Sequence, residues 1–142
     1  MKIMTCVKQE FSAAHSLSSK LTDKCSVIHG HNYVVEACFT SDRPLPWVAD
    51  FTQLKQIIKS VIDKLDHTYL LPERLCREAS IRVPEVDSKI MCIPADEVTT
   101  ENIAVYIVKE IERALTNQMK GVKLVKLRLY ETSTSYVEIE LE

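Results

Sequence analysis

Residues 31–40 read HNYVVEACFT, a run in which β-branched and aromatic side chains recur among polar ones. Such a run is typical of a β-strand with one buried face. Residues 2–14 have the same character and are separated from it by a segment at 16–28 that we expect to be a loop. The N-terminal part of the chain therefore predicts two strands that pair with each other.

Two amphipathic helices are predicted further along the chain. The first covers 51–65, where Asp50 can cap the N-terminus and Gln53 completes a capping-box pattern. The second covers 100–117 and begins after a cap at Thr99 or Thr100. The apolar stripe of the first helix comprises Phe51, Leu54, Ile57, Ile58, Val61, Ile62 and Leu65.

The remaining segments complete an α+β pattern. Residues 72–98 hold three of the five prolines and little periodicity, which predicts an extended loop. After Gly121, strands are expected at 122–131 and 135–141, joined by a polar turn at 132–134. The order ββααββ predicts an antiparallel sheet with two helices packed on one face.

The composition is that of a globular protein with one domain over residues 1–142. The chain has 142 residues, 27% charged and 46% hydrophobic, with a formal net charge of −2. Lys and Arg form no basic stripe, so no nucleic-acid partner is expected. No apolar run approaches the roughly 20 residues of a membrane span, and the first residues lack the pattern of a secretory signal, which predicts the cytoplasm and no membrane partner.

The cysteines are odd in number and irregularly spaced. The five positions do not resemble a disulfide framework, so we expect free thiols in a reducing compartment. Cys6 and Cys38 lie in strand-like runs and are expected to be buried as small hydrophobic side chains.

Three of the four histidines lie close to the two N-terminal strands, at His15, His29 and His31. Side chains two apart on a strand point to the same face, so His29 and His31 can face one metal ion, and a hairpin partner can add His15. Zinc prefers neutral imidazole nitrogens, and three protein ligands with an open fourth position are typical of a catalytic site. The sequence therefore predicts a zinc site that can take water or a substrate.

Two further interpretations of this histidine pattern remain open. The histidines can be a chance occurrence, each with its own hydrogen bonds. Cys25, four residues before His29, can be a fourth ligand, which would close the site and make the zinc structural. A free Cys25 would instead serve as a base or nucleophile.

Carboxylates at two distant positions add to the pattern. Asp66 directly precedes His67, an arrangement that orients an imidazole for proton transfer. Glu131 shares strand parity with Val125, Leu127 and Leu129, which places it at the end of an apolar face. A carboxylate there needs a partner, either a ligand with N–H donors or a nearby Arg or Lys.

Six segments together resemble the 6-pyruvoyltetrahydropterin synthase and 6-carboxytetrahydropterin synthase family in order and spacing: FSAAHSL, CSVIHGHNY, WVADF, LDHTYL, TTENIAVYI and LYETSTSYVEIE. The resemblance spans nearly the whole chain. It implies the tunnelling fold, in which sheets from several subunits close into a barrel, with active sites between subunits. It also implies a homohexamer built from two trimers.

The resemblance implies a role for each candidate residue. The positions of His15, His29 and His31 hold catalytic zinc in such enzymes, and the position of Cys25 is the general base. Those of Asp66 and His67 assist proton transfer. The position of Glu131 anchors the pterin and joins the proton relay, and a segment matching Thr99, Thr100 and Glu101 contacts the pterin ring. The implied substrate is 7,8-dihydroneopterin triphosphate, from which triphosphate is eliminated.

The spacing of Cys25 and His29 bears on the product. A gap of three residues resembles the branch that makes 6-carboxytetrahydropterin for queuosine biosynthesis and also releases acetaldehyde, whereas TTENIAVYI resembles the pyruvoyl branch. The 72–98 stretch is longer than in short members.

Two functions outside this chemistry also stay open. One is a non-catalytic zinc-stabilised oligomer, in which Cys25 would be the fourth ligand. The second is a retro-aldol cleavage of dihydroneopterin, for which members of the family usually carry Glu in place of the cysteine.

Overall fold

The computed structural model describes residues 1–18, 21–43 and 46–142, and within them six strands form one sheet in the order β4-β3-β1-β2-β5-β6. The helices are α1, α2 and α3, and a short 3₁₀ turn covers Lys24–Ser26. The bounds are β1 Thr5–His15, β2 His29–Ser41, α1 Phe51–Ile62, β3 Thr68–Pro72, α2 Glu73–Cys76, β4 Ile90–Ile93, α3 Thr100–Gln118, β5 Val122–Thr132 and β6 Ser135–Glu140.

The predicted N-terminal pairing is confirmed. Strands β1 and β2 run antiparallel in unbroken register from Thr5 opposite Phe39 to His15 opposite His29. One face of this pair is buried, with Phe11 and Tyr33 among its largest side chains. Because the register is unbroken, the parity of the buried face holds as far as the histidines at the end of the pair.

Helices α1 and α3 cover that buried face, as predicted. Asp50 caps α1 by accepting a hydrogen bond of 2.9 Å from the backbone N–H of Thr52, and Thr99 caps α3 by accepting one of 3.2 Å from the N–H of Asn102. The predicted stripe of α1 is wrong at its first position, because Phe51 remains 59% exposed. Phe51 is the first residue of the helix and lies beyond the edge of the core.

The extended loop predicted at 72–98 is wrong in part. This stretch begins at the last residue of β3 and contains α2 and β4. Strand β4 forms the edge of the sheet and pairs with β3, which lies beside β1. Both new pairings are parallel, so the sheet is mixed and not wholly antiparallel. Strands of four and five residues are too short to show a periodic pattern, although Leu70 and Ile93 are fully buried.

A bulge in β5 changes which of its apolar residues face the core, so the predicted alternation is wrong at Val125. Cys38 of β2 pairs with Lys126, whereas the next residue, Phe39, pairs with Leu124. Val125 is therefore an extra residue in the ladder, and Leu124 is buried in the place predicted for Val125. Leu127 and Leu129 lie after the bulge and point into the core as predicted.

Four of the five cysteines form disulfides, so the expectation of free thiols is wrong for all except Cys25. Cys6 and Cys38 lie directly opposite each other on β1 and β2 with their Cα atoms 4.0 Å apart. Cys38 is buried as expected, whereas Cys6 is exposed, so the expected burial is wrong for Cys6. Cys76 ends α2, and its Cα is 6.2 Å from that of Cys92 in β4. Both disulfides depend on how strands and helices pack, so the spacing of the cysteines along the sequence does not reveal them.

The disulfides remove one argument for a reducing compartment, so the cytoplasmic location stays a prediction. Among the described residues, none of the helices combines the length and the apolar character needed to span a lipid bilayer.

Candidate metal centre

The three predicted metal-binding histidines meet at one end of the β1–β2 pair. His15 is the last residue of β1 and lies opposite His29, the first residue of β2, while His31 lies opposite Ala13. All three share the face that carries Tyr33 and the core. Their ring centroids are 4.6, 4.9 and 5.1 Å apart, and their candidate ligand nitrogens lie within 4.8 Å of one another.

Backbone carbonyls orient two of these rings. The Nδ1 of His15 lies 2.8 Å from the carbonyl oxygen of Val98, and the Nδ1 of His29 lies 2.7 Å from that of Val27. A carbonyl oxygen only accepts, so each Nδ1 carries a proton, and in the neutral form of such a ring Nε2 is the nitrogen with the lone pair. A hydrogen bond from the other ring nitrogen is the usual support of a metal-binding imidazole. Sequence reasoning did not find Val98 or Val27, since any residue type supplies such a carbonyl.

Two of the imidazole nitrogens in the cluster are buried. The Nε2 atoms of His15 and His31 are buried and make no hydrogen bond among the described residues. Burial lowers the pKa of both imidazoles, for His15 against the opposing effect of its bond to Val98. Buried neutral nitrogens without a partner are the donor set that a metal ion satisfies. The three histidines therefore fit a metal site.

Glu131 lies beside this cluster. The pairing of β5 with β6 is irregular between Tyr130 and Thr132, so Glu131 lies at a bulge. Its Oε1 is 3.5 Å from the Nε2 of His31, and its Oε2 is 3.8 Å from the Nε2 of His15. The hydroxyl of Thr100 donates a short hydrogen bond to Oε2. Among the described residues, the Thr100 hydroxyl bonds this carboxylate and two imidazoles face it, whereas no Arg or Lys pairs with it, so the alternative of a ligand with N–H donors stays open.

Thr99, Thr100 and Glu101, at the start of α3, have three different environments. Thr100 is almost fully buried and contacts Glu131 directly. The hydroxyl of Thr99 caps the helix by accepting a hydrogen bond from the N–H of Asn102. Glu101 is exposed in the first helical turn, where the helix dipole stabilises its negative charge. Of the three residues, Thr100 has a side-chain contact with Glu131, the carboxylate that lies beside the histidine cluster.

Cys25 is a free, half-buried thiol in the 3₁₀ turn. Its carbonyl oxygen accepts a hydrogen bond of 2.7 Å from the N–H of Leu17, which holds the turn beside the chain that leaves His15. The group of side chains with the geometry of a metal site contains the three imidazoles and not the sulfur of Cys25. This grouping does not favour Cys25 as a fourth ligand.

Asp66 and His67 form the predicted pair. The Oδ2 of Asp66 lies 2.9 Å from the Nδ1 of His67, and Oδ1 accepts a hydrogen bond of 2.8 Å from the N–H of Ser12. The bond from Ser12, with a further contribution from His67, lowers the pKa of the Asp66 carboxyl. His67 has a φ of +59° and donates its own N–H to the carbonyl of Ser12 at 2.6 Å. The backbone of β1 therefore holds both residues.

The imidazole of His67 remains outside the histidine cluster within one chain. Its side chain is 83% exposed. It lines an open cavity of about 490 Å³ together with the metal-site residue His31 and with Tyr69 and Lys89, which come from the edge strands and the segment between them. One chain thus presents the Asp66–His67 pair and the metal centre along the same strand, β1, without bringing the two imidazole groups into contact.

Tyr33 is a further site residue that the sequence analysis missed. Its hydroxyl is buried without a hydrogen-bond partner among the described residues, and its ring centroid is 5.5 Å from that of His31. Burial, with a contribution from the charge of Glu131, raises the pKa of this phenol, so it remains protonated. Tyr33 follows His31 by two residues, and the same strand parity that grouped the histidines points to it.

Comparison with known proteins decides the family. The family model described as 6-pyruvoyl tetrahydropterin synthase matches residues 5–142. The chain belongs to this family. The resemblance inferred from the sequence motifs is therefore confirmed, and this member of the pterin synthase family is similar to curated proteins over most of its length.

Two relatives show the range of names within the pterin synthase family. The chain is 30% identical to the 6-carboxy-5,6,7,8-tetrahydropterin synthase of Haemophilus influenzae, over 94% of this chain and 97% of that protein. It is also 30% identical to the dihydroneopterin monophosphate aldolase of Pyrococcus furiosus, over 99% of each.

The fold agrees with a solved structure from the same family. The 6-pyruvoyl tetrahydropterin synthase of Plasmodium vivax superimposes with a TM-score of 0.72 over 99% of both chains at 20% identity. The predicted α+β class and tunnelling fold are confirmed.

Proposed function

We propose that the protein is a zinc-dependent lyase that acts on 7,8-dihydroneopterin triphosphate and forms 6-carboxy-5,6,7,8-tetrahydropterin, with release of triphosphate and acetaldehyde. The observation that carries the proposal is the cluster of His15, His29 and His31, in which two buried nitrogens lack a partner among the described residues. Three imidazoles, two of which have an N–H group oriented by a backbone carbonyl, are a set that suits zinc and leaves room for an oxygen ligand. Zinc held there would act as a Lewis acid on side-chain hydroxyl oxygens of the substrate and make the adjacent C–H bonds more acidic.

Cys25 is the proposed general base. Its thiol is free and half-buried, in a turn whose backbone is bonded to the chain just after His15. In this role it takes a proton from one side-chain carbon of the substrate and returns it to the next. Asp66 fixes the orientation of His67, which exchanges protons with the side-chain oxygens.

Glu131 is the proposed anchor of the pterin ring. A carboxylate accepts hydrogen bonds from the N–H groups of a pterin, and the hydroxyl of Thr100 keeps one oxygen of Glu131 in place. Thr99 and Glu101 are proposed to complete the contacts of this segment with the ring. The ring would then lie beside the histidine cluster with its side chain directed to the metal.

The proposed assembly is a homohexamer, a dimer of trimers, with active sites between subunits. The exposed imidazole of His67 supports this assembly, since a proton-transfer group needs to be enclosed with its substrate to exclude bulk water.

The 6-carboxy product, with a role in queuosine biosynthesis, is proposed from two observations. The gap between Cys25 and His29 is three residues, and a relative that matches the chain nearly end to end carries the 6-carboxytetrahydropterin synthase name. The pyruvoyl product is the alternative within the same chemistry, supported by the TTENIAVYI segment.

A second candidate function is retro-aldol cleavage of a dihydroneopterin. The relative named dihydroneopterin monophosphate aldolase matches 99% of this chain at 30% identity, which favours this candidate. The presence of Cys25 argues against it, because members proposed for that role usually carry Glu at this position.

Product analysis of the zinc-loaded protein with dihydroneopterin triphosphate tests the proposal. We expect triphosphate, acetaldehyde and 6-carboxytetrahydropterin, with no turnover after zinc is removed by a chelator and recovery when zinc is restored. Formation of 6-pyruvoyltetrahydropterin alone would overturn the choice of product. A 6-hydroxymethyl pterin with a two-carbon aldehyde, from this substrate or its monophosphate, would select the aldolase. Zinc binding without any product would leave the non-catalytic oligomer.

A further inference from the structure

We propose that Glu131 is the fourth ligand of the metal before substrate binds, and that the pterin substrate displaces it. The Oε1 of Glu131 faces the Nε2 of His31 at 3.5 Å, and its Oε2 faces the Nε2 of His15 at 3.8 Å. The inference rests on the proposed metal site and goes beyond it, because a carboxylate would close the position that a three-histidine site leaves open.

The separations match those between ligands of one ion. Zinc binds imidazole nitrogen and carboxylate oxygen at about 2.0–2.2 Å, and in a tetrahedron this places neighbouring ligand atoms about 3.3–3.6 Å apart. The distance of 3.5 Å between Glu131 and His31 lies in that range, and 3.8 Å to His15 is slightly longer. Oε1 therefore lies at ligand spacing from His31, and Oε2 lies slightly beyond that spacing from His15. The group that already has metal-site geometry holds the three imidazoles without Glu131, so the carboxylate would move toward the ion when it binds.

Hydrogen bonds do not explain why the Glu131 carboxylate lies so close to these two imidazoles. A direct N–H···O bond measures about 2.7–3.2 Å, so both separations are too long. The Nε2 atoms of His15 and His31 are buried and have no hydrogen-bond partner among the described residues, although the carboxylate faces them. A metal ion between these two buried nitrogens and the carboxylate would satisfy all three groups.

The surroundings of Glu131 hold the carboxylate in this position. The hydroxyl of Thr100 donates to Oε2, and Thr100 is the first residue of α3, at the end of the helix that favours negative charge. The bulge between Tyr130 and Thr132 sets the direction of the Glu131 side chain. Oε1, the oxygen nearer to His31, makes no such bond to Thr100 and is the one we assign to the metal.

This arrangement couples metal ligation to pterin recognition. The carboxylate cannot both bind the ion and accept hydrogen bonds from a pterin ring at full strength. When the N–H groups of the pterin engage Glu131, a substrate oxygen would take the vacated position, so a molecule without a pterin ring would open the site less readily. The exchange breaks no covalent bond and transfers no electron.

Metal binding without substrate provides the test. We compare the wild-type protein with Glu131→Gln, in which a neutral amide keeps the shape of the side chain and an oxygen that can accept from Thr100. Zinc affinity is measured by competition with a chelator, and the cobalt(II)-substituted protein is titrated with azide while its visible absorption is followed. We expect zinc affinity to fall about 10-fold to 100-fold in the variant, and azide to perturb the cobalt spectrum at about a tenfold lower concentration than in the wild type.

The matched control is Glu138→Gln, which removes a carboxylate that pairs with the Nε of Arg128 at 2.6 Å instead of with imidazoles. We expect wild-type zinc affinity and azide response from it. Equal zinc affinity and equal azide response in Glu131→Gln and the wild type would overturn the inference. Should circular dichroism show Glu131→Gln to be unfolded, Thr100→Val decides, since it keeps the carboxylate and removes the hydroxyl that holds it. Weaker zinc binding with a stronger azide response supports the inference, and unchanged values overturn it.

These readouts separate the inference from the proposed function. Loss of zinc affinity in Glu131→Gln together with no turnover of dihydroneopterin triphosphate by the wild type would overturn the function alone. Turnover by the wild type together with unchanged metal binding in the variant would overturn the inference alone.

Discussion

The imidazole of His15 and the carbonyl oxygen of Val98 are joined by a hydrogen bond of 2.8 Å across 83 residues of sequence. The bond assigns the proton to Nδ1 and leaves Nε2 to face His31 and Glu131. It also fixes the end of the β1–β2 pair against the residue just before the cap of α3. The histidine cluster is therefore attached to the start of the helix that carries Thr100.

Substitution of a single ligand should abolish stable zinc binding. We expect the purified wild-type protein to hold about one zinc per chain and His29→Ala to hold almost none after dialysis, because two imidazoles do not form a stable zinc site. Zinc content by mass spectrometry measures this. His67→Ala is the matched control, since the His67 side chain is exposed and outside the cluster, and it should keep wild-type zinc content. Equal loss in both variants would contradict the assignment.

Cys25 should be needed for turnover and not for zinc. We expect Cys25→Ala to keep zinc content and melting temperature and to lose about 10²- to 10⁴-fold in kcat, the usual contribution of a general base. Steady-state kinetics with dihydroneopterin triphosphate, beside zinc analysis of the same sample, measures both. Loss of zinc with a lower melting temperature would instead indicate a structural fourth ligand.

Acid should destabilise the metal-free protein through the buried histidines. Burial lowers the pKa of His15 and His31 in the folded state below the value of about 6.5 for an unfolded chain. The unfolded state then binds more protons as the pH falls through that value, so the free energy of unfolding decreases toward acid. Melting temperatures after chelator treatment, between about pH 7.5 and 5.5, measure the slope on either side of that pKa.

The same series with His15→Gln provides the control for the pH effect. Its side chain does not titrate, so we expect a lower melting temperature at the neutral end of the series and a shallower dependence on pH. A stability that is constant or rises toward acid in the wild type would contradict burial as the dominant effect on these imidazoles.

The disulfides predict the thiol count of the oxidised protein. Protein denatured without reductant should give one reactive thiol, from Cys25, and protein reduced before denaturation should give five. Replacing both Cys6 and Cys38 by Ser should lower the free energy of unfolding by about 2–4 kcal/mol, the usual contribution of a disulfide. Denaturant titration measures the change, with the same variant under reducing conditions as the control. Five thiols before reduction would contradict both bonds.

The sequence predicted the elements that have long, regular patterns. The pairing of β1 with β2 and the two long helices follow from side-chain periodicity, which directly reports burial on one face. The same parity grouped His29 with His31, and it extends to Tyr33. The histidine cluster could therefore be predicted, because its residues belong to one hairpin and their positions depend on local geometry alone.

Long-range contacts were decided by the tertiary structure. The parallel strands β3 and β4 are too short for a periodic signal, the bulge at Val125 changes which face Leu124 occupies, and both disulfides follow from strand pairing. The approach of Glu131 to His15 and His31, and the bond of His15 to the Val98 carbonyl, join parts of the chain that are far apart in sequence. A sequence pattern reports which residues are buried, but only the packed fold determines which buried groups meet, because such contacts depend on the relative placement of whole strands and helices.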